Sequence, residues 1–494
     1  MPVQSDTARD ANVANRRDFL RQATGRARAT AVPTGAESLN VAAVVPTPGS
    51  WADPRLRLLR RATNGLRSGD VLDVKNRGYQ QWLNEQVYYT QIDDDAVEAT
   101  VAQRWPLLSQ TEVQLAPVNA GTVRAQLQDA TLYRAAYSRR QLYERMVEFW
   151  SDHFNISIDK VGYLKAIDDR EVIRKHAMGK FGDLLKASAH SPAMLAYLDQ
   201  NLSRVGSPNQ NYARELMELH TIGVDGGYTQ TDVEQLSRVF TGWTISGAGT
   251  FFFNASRHDF GAKTVLGVQI PATPSSTGAA GINEGEMMLD VLINHPSTAR
   301  YIATKLLKWF ITPEPTETQI SAIAGAFKAT GGDIKRVVRA VLNEGFVTNA
   351  PAKLKRPFHL VASGLRATNA VMTTATSMTG QVRVIGQPQF QYETPDGYPD
   401  LMEYWVGNVA PRWAFGTTLA NSASATTLNV DVAPYLAGTP DAAIDRIQTE
   451  FFGGEMATHT REALLSYLRG GTFNATRVRE TIALALCSYE FQWY

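Results

Sequence analysis

Residues 211–230 read NYARELMELHTIGVDGGYTQ. Each residue of an α-helix advances about 100° around the axis, so Tyr212, Leu216 and Leu219 form one apolar stripe that Ala213 and Met217 widen. Glu215 and Glu218 share the other shoulder with Asn211, and Arg214 stands four residues before Glu218. His220 falls inside the apolar arc, about 140° from Glu215 on a regular helix. Gly223 then offers a left-handed stop, and DGGY turns the chain into a new helix capped by Thr229 or Thr231. The unit is a short amphipathic helix followed by a capped successor.

The same device recurs on both sides. QLYERMVEFWSDHF, residues 141–154, puts Leu142, Met146, Phe149, Trp150 and His153 on one apolar side, with Glu144, Glu148 and Asp152 at four-residue steps along another. SPAMLAYLDQN opens with Ser191 as cap and Pro192 at the first helical position; SPNQNYAREL repeats this with Ser207, Pro208 and Gln210 as a capping box. His190 and His295 precede the helix starts HSPA and HPST, which predicts cap and turn roles. Helical period runs to about residue 243, resumes from MMLDVLINHPSTARYIATKLLKWFI to about 370, and returns around 405–420, 432–450 and 460–490. Residues 244–286 are instead rich in Gly, Ser and Thr, with β-like patches at 251–253 and 265–268, which predicts a long excursion with a small hairpin. A second polar stretch, TTATSMTGQVRVIGQPQFQYETPDGYPD, follows residue 370. The expected fold is mainly α: one large multi-helix domain over 51–494 with two long polar excursions and a small β-hairpin, preceded by a leader or flexible arm over 1–50.

Bulk properties narrow the partners. The chain has 494 residues, 49 basic against 48 acidic, and a net charge of +1, so no overall field draws it to nucleic acid or an anionic membrane. KLKRPFHL gathers Lys353, Lys355 and Arg356 ahead of Pro357 and His359; it reads as a solvated edge or as a helix start able to receive an anion. Cys487 is the single cysteine, which excludes a disulfide framework, a cysteine-rich zinc site and a c-type haem motif. No run approaches the roughly 18 apolar residues of a membrane span. NRRDFLRQATG carries Arg16, Arg17, Phe19 and Leu20 in the twin-arginine export pattern, although Arg26, Arg28 and Glu37 interrupt the apolar segment that should follow. There is no Walker loop, dinucleotide glycine fingerprint, serine elbow or HExxH pair.

Two inward-facing histidines, His153 and His220, bordered by carboxylates predict a buried polar cluster, because an unpartnered polar group there costs a few kcal/mol. RHDFGAK, residues 257–263, brings His258, Asp259 and Lys263 together beside Gly261. Such a loop can close over a pocket and supply a base or metal ligands. The plainer alternative is a turn in which Asp259 bonds its own backbone. The functional expectation is a metal-assisted hydrolase: His153, Glu215, His220 and His258 hold a divalent ion, and Glu215, Glu218, His258 and Asp259 carry the acid–base work. The rival is a helical binding or assembly protein in which these groups form a structural network.

LRLLRRATNG, MVEFWSDHFNIS, KFGDLLKASAHSPAMLAYLDQNLS, NYARELMELHTIGVDGGYTQTDV, FTGWT, RHDFGAKTVLG and KLKRPFHLVASGLRAT stand in this order. In this the chain resembles, over roughly residues 55–490, a bacterial family catalogued as domain of unknown function 1800. The resemblance implies a mainly helical fold filling almost the whole chain, export to the periplasm or beyond, and a sulfatase-like companion protein encoded nearby. The family's recurrent polar motifs match His153, Asn211, Arg214, Glu215, Glu218, His220, Asp225, His258 and Asp259, and bring no assigned reaction.

Overall fold

Amphipathic helices bury a single stripe, and they do so by packing on one another. The computed structural model describes residues 47–273 and 278–494 and is mainly α, with only three two-stranded sheets among the described residues. The expectation of a leader lies, up to residue 46, outside the described residues. The two largest apolar cores among the described residues run from Leu56 to Ala350 and from Val101 to Phe491. Helix Gln141–His153 enters the first with Leu142, Met146, Phe149, Trp150 and His153 all buried, as its period predicts. Helix Pro357–Ala367 sits in the second and is buried at every position. No helix among the described residues is long and apolar enough to cross a membrane.

The first excursion holds two antiparallel hairpins instead of one: β1 (Trp243–Ile245) pairs with β2 (Phe251–Phe253), and β3 (Lys263–Val265) with β4 (Val268–Ile270). It also ends earlier than predicted, because helix Gly278–Asn294 begins inside the glycine-rich run. Packing is the reason. A Cβ on Gly281 would strike Phe253 and His258, and one on Gly285 would strike the Trp243 indole, so the bare backbone lets this helix lie against the first hairpin. The second polar stretch likewise contains a helix, Thr376–Ile385.

Thr229 caps helix Gln230–Val239 in a capping box with Asp232, and the His295 ring caps helix Pro296–Phe310. Asn209, not Ser207, caps helix Gln210–Glu215, its side-chain oxygen taking the Tyr212 amide at 3.1 Å. The Ser191 hydroxyl donates to Asp168 at 2.7 Å instead of capping.

The largest departure is in the 211–230 stretch. After Glu215 the chain winds as a π-helical turn, Leu216–Thr221, with the Ile222 amide reaching back five residues to the Met217 carbonyl at 2.9 Å. A turn closed on the fifth residue stacks positions five apart, so Glu215 and His220 swing toward a common face. All six residues of the turn are buried, Glu218 included, and Glu215 is buried beside them. The acids are therefore interior groups, not a polar shoulder.

Candidate functional site

The last turn of helix Gln141–His153 presents His153 to the π turn and Asp152 to Arg356. His153 Nε2 lies 3.1 Å from the His220 carbonyl oxygen, which can only accept, so Nε2 carries the hydrogen and Nδ1 keeps its lone pair. That Nδ1 and His220 Nε2 have no hydrogen-bond partner, and the two rings are 6.1 Å apart. Both histidines are 1% exposed. Burial first, and the nearby Lys305 charge second, push His153 well below the usual imidazole range and His220 down to about 3. Both rings are neutral at physiological pH.

Residues 388–400 form a second wall, and it is pinned. Asn155 Nδ2 donates to the Tyr392 and Thr394 carbonyls at 3.0 and 2.7 Å, and the Tyr197 hydroxyl donates to the Glu393 carbonyl at 2.6 Å. Lys353 Nζ lies 2.7 Å from Asp400. Gly397, at φ +74°, rests so close to the Asp152 backbone that any Cβ would collide. These contacts hold Asp396 beside Asp152.

Helix Pro296–Phe310 brings Tyr301 to within 6.2 Å of the His153 ring, with Lys305 beside it, a grouping termed the cleft. Lys305 is half-buried, its Nζ 5.6 Å from the Tyr301 ring centroid, and it makes no hydrogen bond or ion pair with the described residues. Burial lowers its amine to about 8, against the pull of Asp152 and Asp396 in the other direction. Burial raises Asp152 despite its 2.6 Å ion pair with Arg356. The Tyr301 phenol is pushed up by burial and then by Glu218, Asp396 and Glu215. Glu218 accepts from the Tyr228 hydroxyl at 3.1 Å.

RHDFGAK lies apart from this cleft. His258 Nδ1 donates to the Thr241 carbonyl at 2.7 Å, and its Nε2 stands 3.4 Å from Glu284. Lys263 Nζ is 2.7 Å from the same Glu284. Arg238 grips both Asp259 oxygens at 2.7 and 3.1 Å, and Asp259 also accepts the Gly261 amide at 2.9 Å. His258 and Asp259 are thus held by Thr241, Glu284, Arg238 and Gly261, and Asp259 bonds its own turn as the plainer alternative expects. His258 packs against Phe253 and Phe260, whereas His153 packs against Phe149, Trp150, Phe154 and Phe181. Among the described residues no three His, Cys, Asp or Glu side chains are arranged to hold a metal ion. His153, Glu215, His220 and His258 accordingly form no such group.

KLKRPFHL is also not a solvated edge: Lys353, Lys355, Arg356 and His359 are all buried. The segment pairs with the backbone of residues 492–494, Lys353 and Tyr494 exchanging amide hydrogen bonds at 2.8 Å. Its Arg356 and the neighbouring Arg145 sit over Trp309 at 4.9 and 4.7 Å from the ring centroid.

Sequence reasoning brought His153 and His220 together but missed Lys305 and Asp396, and read Asp152 only as a member of an acidic face. A signal existed for Lys305. Its wheel position falls between Tyr301 and the buried pair Thr298 and Trp309, at the edge of an apolar arc.

The chain belongs to the family described as protein of unknown function (DUF1800), whose model matches residues 57–493. No curated protein and no solved structure matches the chain.

Proposed function

We propose that the protein is an enzyme of hydrolytic type, with a general acid–base centre in the Lys305 cleft. A base must titrate near the working pH, which an ordinary lysine at about 10.4 does not. Lys305, at about 8, does. Asp152 is displaced the opposite way, upward, and environments that push a base down and an acid up define the two roles. In this reading Lys305 takes a proton from water, Asp152 returns one to the leaving group, and the bare Nδ1 of His153 orients a donor. The observation that carries it is a half-buried lysine with no partner. The test is a panel of chromogenic esters, amides and glycosides with wild type and Lys305→Met. Hydrolysis that rises through an ionisation near pH 8 and disappears in the variant supports the reading. Wild-type inactivity across the panel, or full activity in the variant, overturns it.

The proposal includes an extracytoplasmic site of action, on the pattern at Arg16 and Arg17; cell fractionation of the Arg16→Lys, Arg17→Lys double variant checks it. A second reading, of an assembly protein acting with a sulfatase-like companion, draws on an open groove where Trp413 and Leu484 are 54% and 43% exposed. Co-purification that is lost in Trp413→Ser would favour it.

A further inference from the structure

Glu148 is only half paired. Its Oε2 accepts from Arg145 Nη1 at 2.6 Å, while its Oε1 has no hydrogen-bond partner, although the side chain is only 8% exposed. Three further buried atoms share that state: Ser151 Oγ, Gln389 Nε2 and Asp152 Oδ2, the last 2.6 Å from Arg356 Nη2 but misaligned for a hydrogen bond. The four residues line one small cavity of about 20 Å³, with Ala135 and Phe358 among its apolar walls. The cavity's other polar side chains are occupied. Asn155 Nδ2 donates to the Tyr392 and Thr394 carbonyls, the Tyr398 hydroxyl donates to the Pro388 carbonyl at 2.7 Å, and Glu144 is paired with Arg174 at 2.7 Å.

Volume and donor set select the occupant. A water molecule needs about 10–15 Å³ of such space, so the cavity takes one and excludes an organic substrate. A cation would meet the Gln389 amide N–H group and the guanidinium beside Asp152; an anion would meet two carboxyls. Water suits both kinds of wall, donating to Glu148 Oε1 and Asp152 Oδ2 and accepting from Gln389 Nε2 and Ser151 Oγ. Without it, four buried polar atoms stay unpaired at a cost to the fold. The charged groups that face Glu148 are Glu144, Arg145 and Asp152 on its own helix, Arg356, and Asp400 from the pinned loop. Helix Ala120–Tyr137 adds only Thr131 and Ala135.

We infer that this cavity is a built site for one water molecule, which Glu148 holds against the Asp152 carboxyl and through which it resupplies Asp152 with protons. The inference rests on the reading of Asp152 as the acid of the hydrolytic centre, and gives that acid its source. Glu148 passes a proton to the water as the water passes one to the Asp152 carboxylate; the water is unchanged, and Glu148 regains its proton from solvent. Glu148 is thus a positioning residue that acts through Asp152.

The experiment uses the full-length protein. Water oxygen relaxation dispersion counts long-lived internal waters, and the count should fall by one in Ala135→Val, which fills the cavity and keeps its polar groups. Gln389→Leu, which removes a donor from the opposite wall, should do the same. Counts equal to wild type in both variants overturn the site. The infrared stretch of the protonated Asp152 carboxyl, assigned by its loss in Asp152→Asn, should move to higher wavenumber in Ala135→Val as a hydrogen bond is lost; an unmoved band overturns the link to Asp152. On any substrate that the wild type hydrolyses, Glu148→Gln should lower kcat on the order of 100-fold with KM unchanged, and Glu148→Asp should restore it. Full kcat in Glu148→Gln removes the relay and leaves the acid–base reading standing. A wild type inert on every substrate overturns that reading and the relay with it, whereas the water count and the carboxyl band still decide the site.

Discussion

The RHDFGAK clasp and the Lys305 cleft are built from one set of side chains and end in opposite states. Each combines buried imidazole, a lysine and carboxylates. In the clasp, Lys263 and Glu284 meet at 2.7 Å, His258 stands 3.4 Å from that carboxylate, and Arg238 holds Asp259. In the cleft, His153 Nδ1, His220 Nε2 and Lys305 Nζ have no such partners. The electrostatics follow the pairing. Burial alone would raise Glu284, but His258 and Lys263 outweigh it and hold the carboxyl below its usual range. In the cleft burial wins, driving Lys305 and both imidazoles down and Asp152 up. The difference lies in whether a counter-charge stands at bonding distance: Glu284 does so for Lys263, and among the described residues no carboxylate does so for Lys305.

The largest effect expected from disturbing this contrast is in the clasp. Glu284→Ala leaves Lys263 buried without its counter-charge and should cost about 3 kcal/mol in urea unfolding, with the Lys305 titration unmoved. A shift at Lys305 in that variant would show that the two regions are coupled. Lys305→Met should act in the other direction and stabilise the fold at pH 7 by about 2 kcal/mol. The folded value, about 8, lies below the unfolded 10.5, so the unfolded chain binds more protons between them. The penalty is full below pH 8 and is relieved as pH rises toward 10.5, where the gain from the substitution vanishes; melting temperature against pH measures it. His220, at about 3 in the fold and 6.5 unfolded, should make the wild type lose stability as pH falls through that window. At pH 5 this loss is about 2 kcal/mol, and His220→Leu should flatten the slope. The smallest effect belongs to Asp259→Ala, about 1 kcal/mol, with no change in either pH profile.

The helices were legible because burial imposes a period. Leu142, Met146, Phe149 and Trp150 announce their face, and Gly223 and Thr229 announce a boundary. Helix Gly278–Asn294 was hidden because contact with Trp243 overrides the poor propensity of its glycines. The burial of Lys353, Lys355 and Arg356 was hidden because the backbone that covers them lies well over 100 residues onward. At the site, the inward direction of His153 and His220 was readable from either helix alone. Lys305 was not, since a lysine at the edge of an apolar arc looks like one that lays its stem on the surface and keeps its charge in water. Asp396 owes its place to Asn155, Tyr197 and Gly397, none of which advertises a loop anchor.

The wide turn at Leu216–Thr221 makes the cleft depend on a count of residues. Excising Leu219 would tighten the winding, rotating everything downstream by about 100° and drawing it back about 1.5 Å. His220 would leave the side of His153, and Gly223, which has no room for a Cβ beside Tyr301, would be dragged off its seat. The greasy side chains of this segment can be exchanged for others of like size, whereas its length is fixed by the geometry of the cleft.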